Sequence, residues 1–276
     1  MSLLQINKEI CKQDGFCVQE CPVVIISMQD KNSFPEILPG KEEMCIECGH
    51  CVAVCPHGAL SHEKVPLESC PLVDREKVIN DEQAIQFLRS RRSARKFKDK
   101  PLEKSQIENL INIARYAPTG SNAQNLEWTV ITGKDNLWKI SELTVDWIRD
   151  ALKGPYKDSF PNYFNALVLG WDFGIDVVLR NAPAVVMASS PGEGNGGLVN
   201  ISIALSYLEL AASSLGLAGC WAGLMQLGLQ FSPALKEFVG LPESHTAHYP
   251  MMLGYSQFKY HRLPERKTPI IHWKEK

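Results

Sequence analysis

Cysteines and one aspartate recur at a fixed spacing near the start of the chain. The segment from Cys45 to Pro56 reads C-x2-C-x2-C-x3-C-P, and the segment from Cys11 to Pro22 matches it at an offset of 34 residues. The earlier copy has Asp14 where the later copy has a cysteine. In a run of this spacing, one tight loop supplies three thiolates to one iron–sulfur cluster, and the cysteine before the proline binds a second cluster. The repeat therefore predicts two clusters.

The ligands are assigned by combining the first three positions of one copy with the last cysteine of the other copy. One 4Fe–4S cluster is predicted to bind four thiolates, those of Cys21, Cys45, Cys48 and Cys51. The other is predicted to bind three, those of Cys11, Cys17 and Cys55. Its last position is open between Asp14, Cys70 and water, and in the open case the cluster is 3Fe–4S. Paired zinc knuckles are the alternative, but zinc sites usually pair two C-x2-C units across a spacer and do not end in C-P.

Composition narrows the class of protein. A chain of 276 residues is long enough for one large and one small domain. Its net charge of −2 supplies no basic field for nucleic acid, and the basic run at 89–96 is short. Nine cysteines without an export signal predict a cytoplasmic protein that uses thiols for metal or redox chemistry. The apolar stretch 198–229 contains four glycines and is predicted to be a buried helix followed by a strand, with no membrane partner.

Three later segments have residues suited to binding a phosphorylated heterocycle. Residues 91–97 place cations around a hydroxyl, which suits a phosphate, although a solvated charged face is an equal alternative. Residues 118–124 form a turn rich in small donors and amides, which otherwise only ends a helix. Glycines in 216–223 allow a ligand to approach the backbone, or a strand to pack tightly behind a helix.

The order of predicted elements indicates the fold class. Helices are predicted from Asn80 or Asp81, over Leu102–Tyr116 and over Val199–Ser214. Strands are predicted at Trp128–Thr132, Ala184–Ser189, Cys220–Ala222 and Met251–Tyr255, the second of them central. Because helices and strands do not alternate strictly, an α+β fold is favoured over a doubly wound sheet.

In this order, the three segments resemble the FMN-dependent nitroreductase family over residues 84–271. Arg91-Arg92-Ser93-x-Arg95-x-Phe97 is similar to that family's R-[RH]-S-x-[RK]-x-F, and Pro118 to Gln124 is similar to its P-[ST]-x-x-N-x-Q. Residues 5–60 separately resemble a bacterial two-cluster ferredoxin. The resemblance implies a ferredoxin-like domain at 1–65, a linker at 66–80, and a nitroreductase-like three-layer α-β-α domain at 81–276.

The resemblance also implies the contacts to FMN. The phosphate would bind the basic and hydroxyl groups of Arg91, Arg92, Ser93, Arg95, Arg266 and Lys267. The ribityl chain and pyrimidine edge would lie against Pro118, Thr119, Gly120, Ser121, Asn122 and Gln124. Flavin N5 would lie beside the backbone amides of Trp221, Ala222 and Gly223. The family further implies an obligate homodimer with each flavin at the subunit interface.

Together these patterns predict an FMN-dependent oxidoreductase. The clusters are expected to pass electrons to FMN, which reduces a small acceptor such as a nitroaromatic or a quinone-like compound. The alternative is a flavin and iron–sulfur electron carrier or redox sensor without a small-molecule substrate. The catalytic acid and base are unassigned, and His245, His248 and Tyr249 are candidates only.

The electron donor is left open between reduced ferredoxin and NAD(P)H. Residues 192–197 fit G-x-G-x-x-G after a predicted strand, but a dinucleotide fingerprint also needs an acidic residue about 20 positions further on. The stretch from Leu215 to Gln230 contains no acidic residue. The sequence therefore predicts a glycine-rich loop near the flavin and no dedicated NAD domain.

Overall fold

The computed structural model describes residues 3–155, 160–192 and 196–275. The chain divides into two compact units. The first comprises Met1–Val78 and Gly120–Ala123, and the second comprises Ile79–Thr119 and Gln124–Lys276. The domain boundaries at residues 65 and 80 stay a prediction. The middle of the glycine-rich 192–197 loop, residues 193–195, lies outside the described residues.

The first unit is built from short elements around the cysteines. Its strands are β1 (Leu4–Ile6), β2 (Ile26–Ser27), β3 (Glu36–Ile37) and β4 (Leu60–His62). β1 pairs with β4 and β2 with β3, both antiparallel. Its helices are α1 (Phe16–Glu20) and α2 (His50–Ala53).

The 34-residue repeat is visible in the backbone of this unit. Gly15 and Gly49 cap α1 and α2, and each has φ +71°, which glycine adopts without steric cost. The Val18 amide donates to Gly15 O at 3.1 Å, and the Val52 amide donates to Gly49 O at 3.0 Å. The two cysteine loops therefore have the same local conformation, including the helix start that follows Asp14.

The second unit has an antiparallel sheet. Among the described residues, it consists of four strands in the order β5-β6-β8-β7: β5 (Glu127–Thr132), β6 (Ala184–Ser190), β7 (Ala218–Trp221) and β8 (Ala247–Gly254). β6 lies between two neighbours and is buried throughout, as predicted for a central strand. β8 begins four residues earlier than predicted, because Pro250 counts against a strand interior in a sequence pattern.

Helices cover both faces of this sheet. They are α3 (Asp81–Ser90), α4 (Lys104–Ala114), α5 (Lys134–Ala151), α6 (Tyr163–Asp172), α7 (Gly197–Ser214), α8 (Gly223–Phe231) and α9 (Pro233–Val239). Val186 of β6 packs with α4 and α7, whereas Met187 packs with α5, α8 and α9. Successive side chains of a strand point to opposite faces. The α+β class and the three-layer α-β-α arrangement are therefore confirmed.

Helix α3 begins where the sequence predicts it. The Gln83 amide donates to Asn80 Oδ1 at 2.9 Å, and the Asn80 amide donates to Gln83 Oε1 at 3.1 Å, which together form a capping box. Its apolar side is exposed, since 53% of Ile85 and 58% of Leu88 are accessible.

Helix α7 and strand β7 confirm the predicted buried helix followed by a strand. Ile201, Leu205 and Leu208 of α7 are fully buried in the core below the sheet. Of the helices in the described part of the chain, α7 alone is long and apolar enough to cross a membrane by length and composition. Helices in the cores of soluble proteins meet the same criterion.

Candidate functional site

One cavity of the first unit brings thiols from both copies of the repeat together. Its lining includes Cys11 and Cys17 of the first copy and Cys55 of the second. Asp14 and His57 also line it. The grouping is the crossed one that the sequence predicts, with Asp14 where a fourth ligand would stand.

Asp14 and Cys70, the two residues considered as the fourth ligand of this cluster, differ in position. Asp14 Oδ2 lies 3.3 Å from His57 Nε2, and Asp14 Oδ1 accepts from the Phe16 amide at 3.3 Å. Cys70 is not among the residues that line this cavity, and its thiol instead donates to Pro66 O at 3.4 Å. The geometry favours Asp14 over Cys70 as the residue that faces the cluster.

A second cavity has the other four thiols in its lining. They are Cys21, Cys45, Cys48 and Cys51. His62, at the end of β4, is 2% exposed and also lines it. Its Nε2 lies 3.4 Å from Cys45 Sγ, and burial lowers its pKa below the usual range. Sequence reasoning missed His62, because a lone histidine in a strand carries no motif.

Two of the proposed cysteine ligands, Cys17 and Cys51, are buried. Burial raises the pKa of Cys17, and it raises the pKa of Cys51 to about 11. The thiolate is the form that binds iron, so the positive charge of the cluster iron must offset this burial cost. All nine cysteines are free thiols. Within residues 3–155, 160–192 and 196–275, no group of three or more His, Cys, Asp or Glu side chains is placed to hold a single metal ion.

In the second unit, Arg91 follows α3 directly and contacts a buried carboxylate. Its Nη1 lies 2.8 Å from Glu209 Oε1 and donates to Ser93 Oγ at 3.4 Å. Glu209 Oε2 accepts from Trp221 Nε1 at 3.1 Å. Glu209 thus joins two predicted cofactor segments, residues 91–97 and 221–223. Sequence reasoning missed it, although it is the only charged residue in the apolar stretch 198–229.

Cys220 of β7 is a buried thiol. Burial raises the pKa of the Cys220 thiol, while Arg95, Arg180 and Arg91 act in the opposite direction. Arg91 and Arg95 belong to the predicted phosphate segment 91–97, whereas Arg180 does not. Arg180 has no sequence signal, because it is an isolated cation before Asn181 in a loop.

The C-terminal segment contacts the loop that follows α3. Tyr260 Oη donates to Ser93 O at 3.5 Å, and the guanidinium of Arg92 lies 5.8 Å from the Tyr260 ring centroid. Further on, Arg89 Nη2 lies 3.8 Å from Glu265 Oε2. The side chains of the next two residues, Arg266 and Lys267, are exposed.

The turn at 118–124 is tightly wound. Within the second unit, Thr119 Oγ1 accepts from the Gln124 amide at 3.0 Å. Within the first unit, Asn122 Nδ2 donates to Ile46 O at 2.9 Å. Ser121, Asn122 and Gln124 all have positive φ, so the backbone adopts a conformation that is uncommon for residues other than glycine.

Two of the backbone amides expected beside flavin N5 differ in availability. The Ala222 amide donates to Pro250 O at 3.0 Å and is already engaged. Gly223 is the first residue of α8, and amides in the first turn of a helix have no intrahelical acceptor. Gly223 is therefore the better placed donor. The Trp221 ring packs edge-on against Tyr249, with centroids 5.0 Å apart.

The three acid–base candidates make structural contacts. His245 Nδ1 lies 2.9 Å from Ser189 Oγ, and its Nε2 lies 3.5 Å from Glu127 Oε1. His248 Nδ1 lies 3.1 Å from Gln226 Oε1, and burial lowers its pKa. Burial, followed by the nearby Cys220, raises the pKa of Tyr249. These contacts assign no catalytic acid or base.

The two thiol-lined cavities indicate an iron–sulfur domain, and the second unit is a separate α-β-α domain. The family model described as "Nitroreductase family" matches residues 88–255, and the model described as "4Fe-4S dicluster domain" matches residues 10–59. The chain belongs to the nitroreductase family and carries a 4Fe–4S dicluster domain ahead of the family domain. The predicted combination of a nitroreductase-family domain with a two-cluster ferredoxin-type domain is confirmed.

Individual relatives are distant. A curated protein of Archaeoglobus fulgidus, whose name proposes NADH dehydrogenase or NAD(P)H nitroreductase activity, is 25% identical over 174 residues, which are 63% of this chain and 86% of that protein. A Bacteroides fragilis nitroreductase structure with bound FMN is 18% identical, covers 70% of this chain and 100% of its own, and gives a TM-score of 0.54. A Desulfitobacterium hafniense nitroreductase structure with bound FMN is 19% identical, with coverages of 71% and 100% and a TM-score of 0.55. At these identities, the structures show the shared fold.

Proposed function

We propose that this chain is an FMN-dependent, nitroreductase-type oxidoreductase whose electrons enter through the iron–sulfur domain and leave to a small nitroaromatic or quinone-like acceptor. The observation that carries the proposal is the presence, on one chain, of two cysteine-lined cavities and a nitroreductase domain. Iron–sulfur clusters supply one electron at a time, and FMN, when bound, interconverts one-electron and two-electron transfer.

The charges of the second unit suit a flavin phosphate. Arg91, Arg92 and Arg95 lie together in residues 91–97, and Glu209 pairs with Arg91. The remaining positive charge matches a phosphate monoester, which carries about −1.5 to −2 at neutral pH. Arg91, Ser93 and Arg95 would bind this phosphate, with Arg92, Arg266 and Lys267 beside it. FMN bound to two solved structures of the same fold supports the assignment.

The remaining flavin contacts follow the sequence segments. Pro118–Gln124 would hold the ribityl chain and the pyrimidine edge through its backbone and amide groups. The Gly223 amide, at the N-terminus of α8, would donate to the flavin beside Trp221. In the first unit, Asp14 would complete the cluster of Cys11, Cys17 and Cys55, since it lines the same cavity.

A homodimer would cover apolar surface of the second unit. Ile85 and Leu88 of α3 are exposed, as are Leu198, Val199 and Tyr207 of α7. Exposed apolar side chains that share a helix face are typical of protein interfaces.

A cytoplasmic location is part of the proposal, because nine free thiols require a reducing compartment.

The test measures flavin reduction by stopped flow, without oxygen, with reduced ferredoxin, NADH or NADPH as the donor. We expect Cys48→Ser to slow reduction by the physiological donor at least about tenfold at unchanged FMN content, because the cluster of its cavity would lose a ligand. Cys70→Ser is the matched control, since Cys70 lines neither cysteine-lined cavity. Equal rates in wild type and Cys48→Ser for every donor would rule out the clusters as the route.

A carrier or sensor without a substrate is the rival function. The NAD(P)H wording in the name of the Archaeoglobus fulgidus relative favours an enzyme. Reduced protein mixed with a panel of nitroaromatics and quinones separates the two functions. Multiple turnovers of one acceptor would support the enzyme, and oxidation of the protein without turnover of any acceptor would support the carrier.

A further inference from the structure

His62 is buried next to one cysteine of the first unit. It ends strand β4, is 2% exposed, and lines the cavity of Cys21, Cys45, Cys48 and Cys51. Its Nε2 lies 3.4 Å from Cys45 Sγ. This is hydrogen-bonding distance for a nitrogen and a sulfur.

The other ring nitrogen decides which atom carries the proton. The Lys64 amide donates to His62 Nδ1 at 3.0 Å, so Nδ1 is an acceptor with a lone pair. A neutral imidazole carries one N–H, which must then be on Nε2. The contact is therefore an N–H donated from His62 Nε2 to Cys45 Sγ.

We propose that His62 raises the redox potential of the cluster held by Cys21, Cys45, Cys48 and Cys51 by donating this hydrogen bond to Cys45. The inference rests on the ligand set given under the proposed function. Reduction adds one electron to the cluster and makes its thiolate sulfurs more negative, which strengthens a hydrogen bond to them. The bond thus stabilises the reduced form more than the oxidised form. No covalent bond breaks, and His62 keeps its proton in both states.

The cavity of Cys11, Cys17 and Cys55 has a different set of groups. There the Ala59 amide donates to Cys55 Sγ at 3.4 Å, and the carboxylate of Asp14 lies in the lining. As the proposed ligand, Asp14 carries the same single negative charge as the thiolate that it replaces, so it adds no extra charge to that cluster. The proposed effect of His62 therefore concerns the cluster of Cys21, Cys45, Cys48 and Cys51, and the other cluster serves as the internal reference.

The experiment is a redox titration of the intact protein, in which paramagnetic resonance follows each reduced cluster. In His62→Phe, which keeps a ring without the donor, we expect the reduced-to-oxidised ratio of the Cys45 cluster at a fixed potential to fall about tenfold, equal to about 59 mV for one electron. His62→Gln retains a donor at similar reach and should restore most of the shift. His57→Phe makes the same change in the other cavity and should leave the Cys45 cluster unchanged.

The outcomes separate the inference from the proposed function. If wild type lacks this cluster by iron content and resonance, the ligand set is wrong. If both His62 variants hold the cluster at the wild-type potential, His62 does not tune it. If His62→Phe does not bind iron, a second measurement decides whether the hydrogen bond exists. Pulsed paramagnetic resonance is then recorded on reduced His50→Gln protein that carries nitrogen-15 histidine. His62 then remains to line this cavity, so nitrogen coupling supports the hydrogen bond and its absence overturns the proposal.

Discussion

Arg91 Nη1 lies 2.8 Å from Glu209 Oε1, an ion pair that joins residues 118 positions apart in the sequence. The Glu209 side chain is 6% exposed and the Arg91 side chain is 30% exposed. The same carboxylate accepts from Trp221 Nε1. One buried acid therefore fixes the loop after α3 against the end of β7.

The first prediction concerns this ion pair. Glu209→Ala should lower the free energy of unfolding by about 2 kcal/mol, below the 3–5 kcal/mol of a fully buried pair because Arg91 is partly hydrated. Urea denaturation followed by tryptophan fluorescence measures the loss. Asp99→Ala is the control, since Lys134 Nζ lies at the same 2.8 Å from an exposed Asp99 Oδ2 and should cost less than about 0.5 kcal/mol. Equal losses would show that burial of Glu209 does not matter.

The second prediction concerns the flavin phosphate. Arg91→Ala with Arg95→Ala should weaken FMN binding roughly a hundredfold or more, because each charge-assisted hydrogen bond contributes about 1.5–3 kcal/mol. Equilibrium dialysis against free FMN gives the dissociation constant. Lys96→Ala with Lys98→Ala removes the same charge from the neighbouring exposed positions and should change binding less than about threefold. Unchanged FMN occupancy in the arginine pair would exclude the phosphate assignment.

The α+β class and the two cysteine loops could be predicted from local patterns, whereas the three-layer arrangement was implied by the family resemblance. Each locally predicted feature is visible in a short stretch of sequence: the spacing of the cysteines, the apolar run of β6 and the helical period of α4. Helix α5 was not predicted. Two of its buried positions are Ser141, which donates to Asp176 Oδ1 at 2.8 Å, and Thr144, which donates to Ile140 O at 2.8 Å. Satisfied hydroxyl groups of this kind interrupt the apolar pattern that marks a helix.

The contacts that complete the sites could not be predicted from local sequence patterns. Glu209 reaches Arg91 only after the chain has crossed the sheet, and His62 reaches Cys45 only because β4 pairs with β1. The exposure of Ile85 and Leu88 also lies beyond the sequence pattern, which identifies an apolar helix face without indicating what covers it.

The third prediction concerns pH. Burial lowers the pKa of His248 in the folded protein below the unfolded value of about 6.5. The unfolded state therefore binds more protons below about pH 6.5, and stability falls as the pH decreases through that value, by at most about 1.4 kcal/mol per pH unit. Unfolding midpoints at pH 7.5 and at pH 5.5 should differ less in His248→Gln than in wild type. An identical difference in the two proteins would mean that His248 is not responsible.

The fourth prediction concerns the cluster beside Asp14. A carboxylate is a harder and weaker ligand for this iron than a thiolate, so iron at that corner should be the first to leave. Asp14 Oδ2 is also shared with His57 Nε2 at 3.3 Å, which competes with iron for the same oxygen. Under mild oxidation, the cluster of Cys11, Cys17 and Cys55 should therefore convert to a three-iron form with its own paramagnetic resonance signal.

Asp14→Cys should suppress that signal, because it restores the thiolate that the second copy of the repeat has at Cys48. The backbone permits the change, since the glycines that follow Asp14 and Cys48 have the same φ of +71°. Iron analysis should then give about eight iron atoms per chain after oxidation, against about seven in wild type. Cys70→Ser tests the remaining ligand and should leave the wild-type signal unchanged, because Cys70 lies outside the cavity lining. If Cys70→Ser rather than Asp14→Cys alters the labile iron, Cys70 is the ligand and the assignment of Asp14 is wrong.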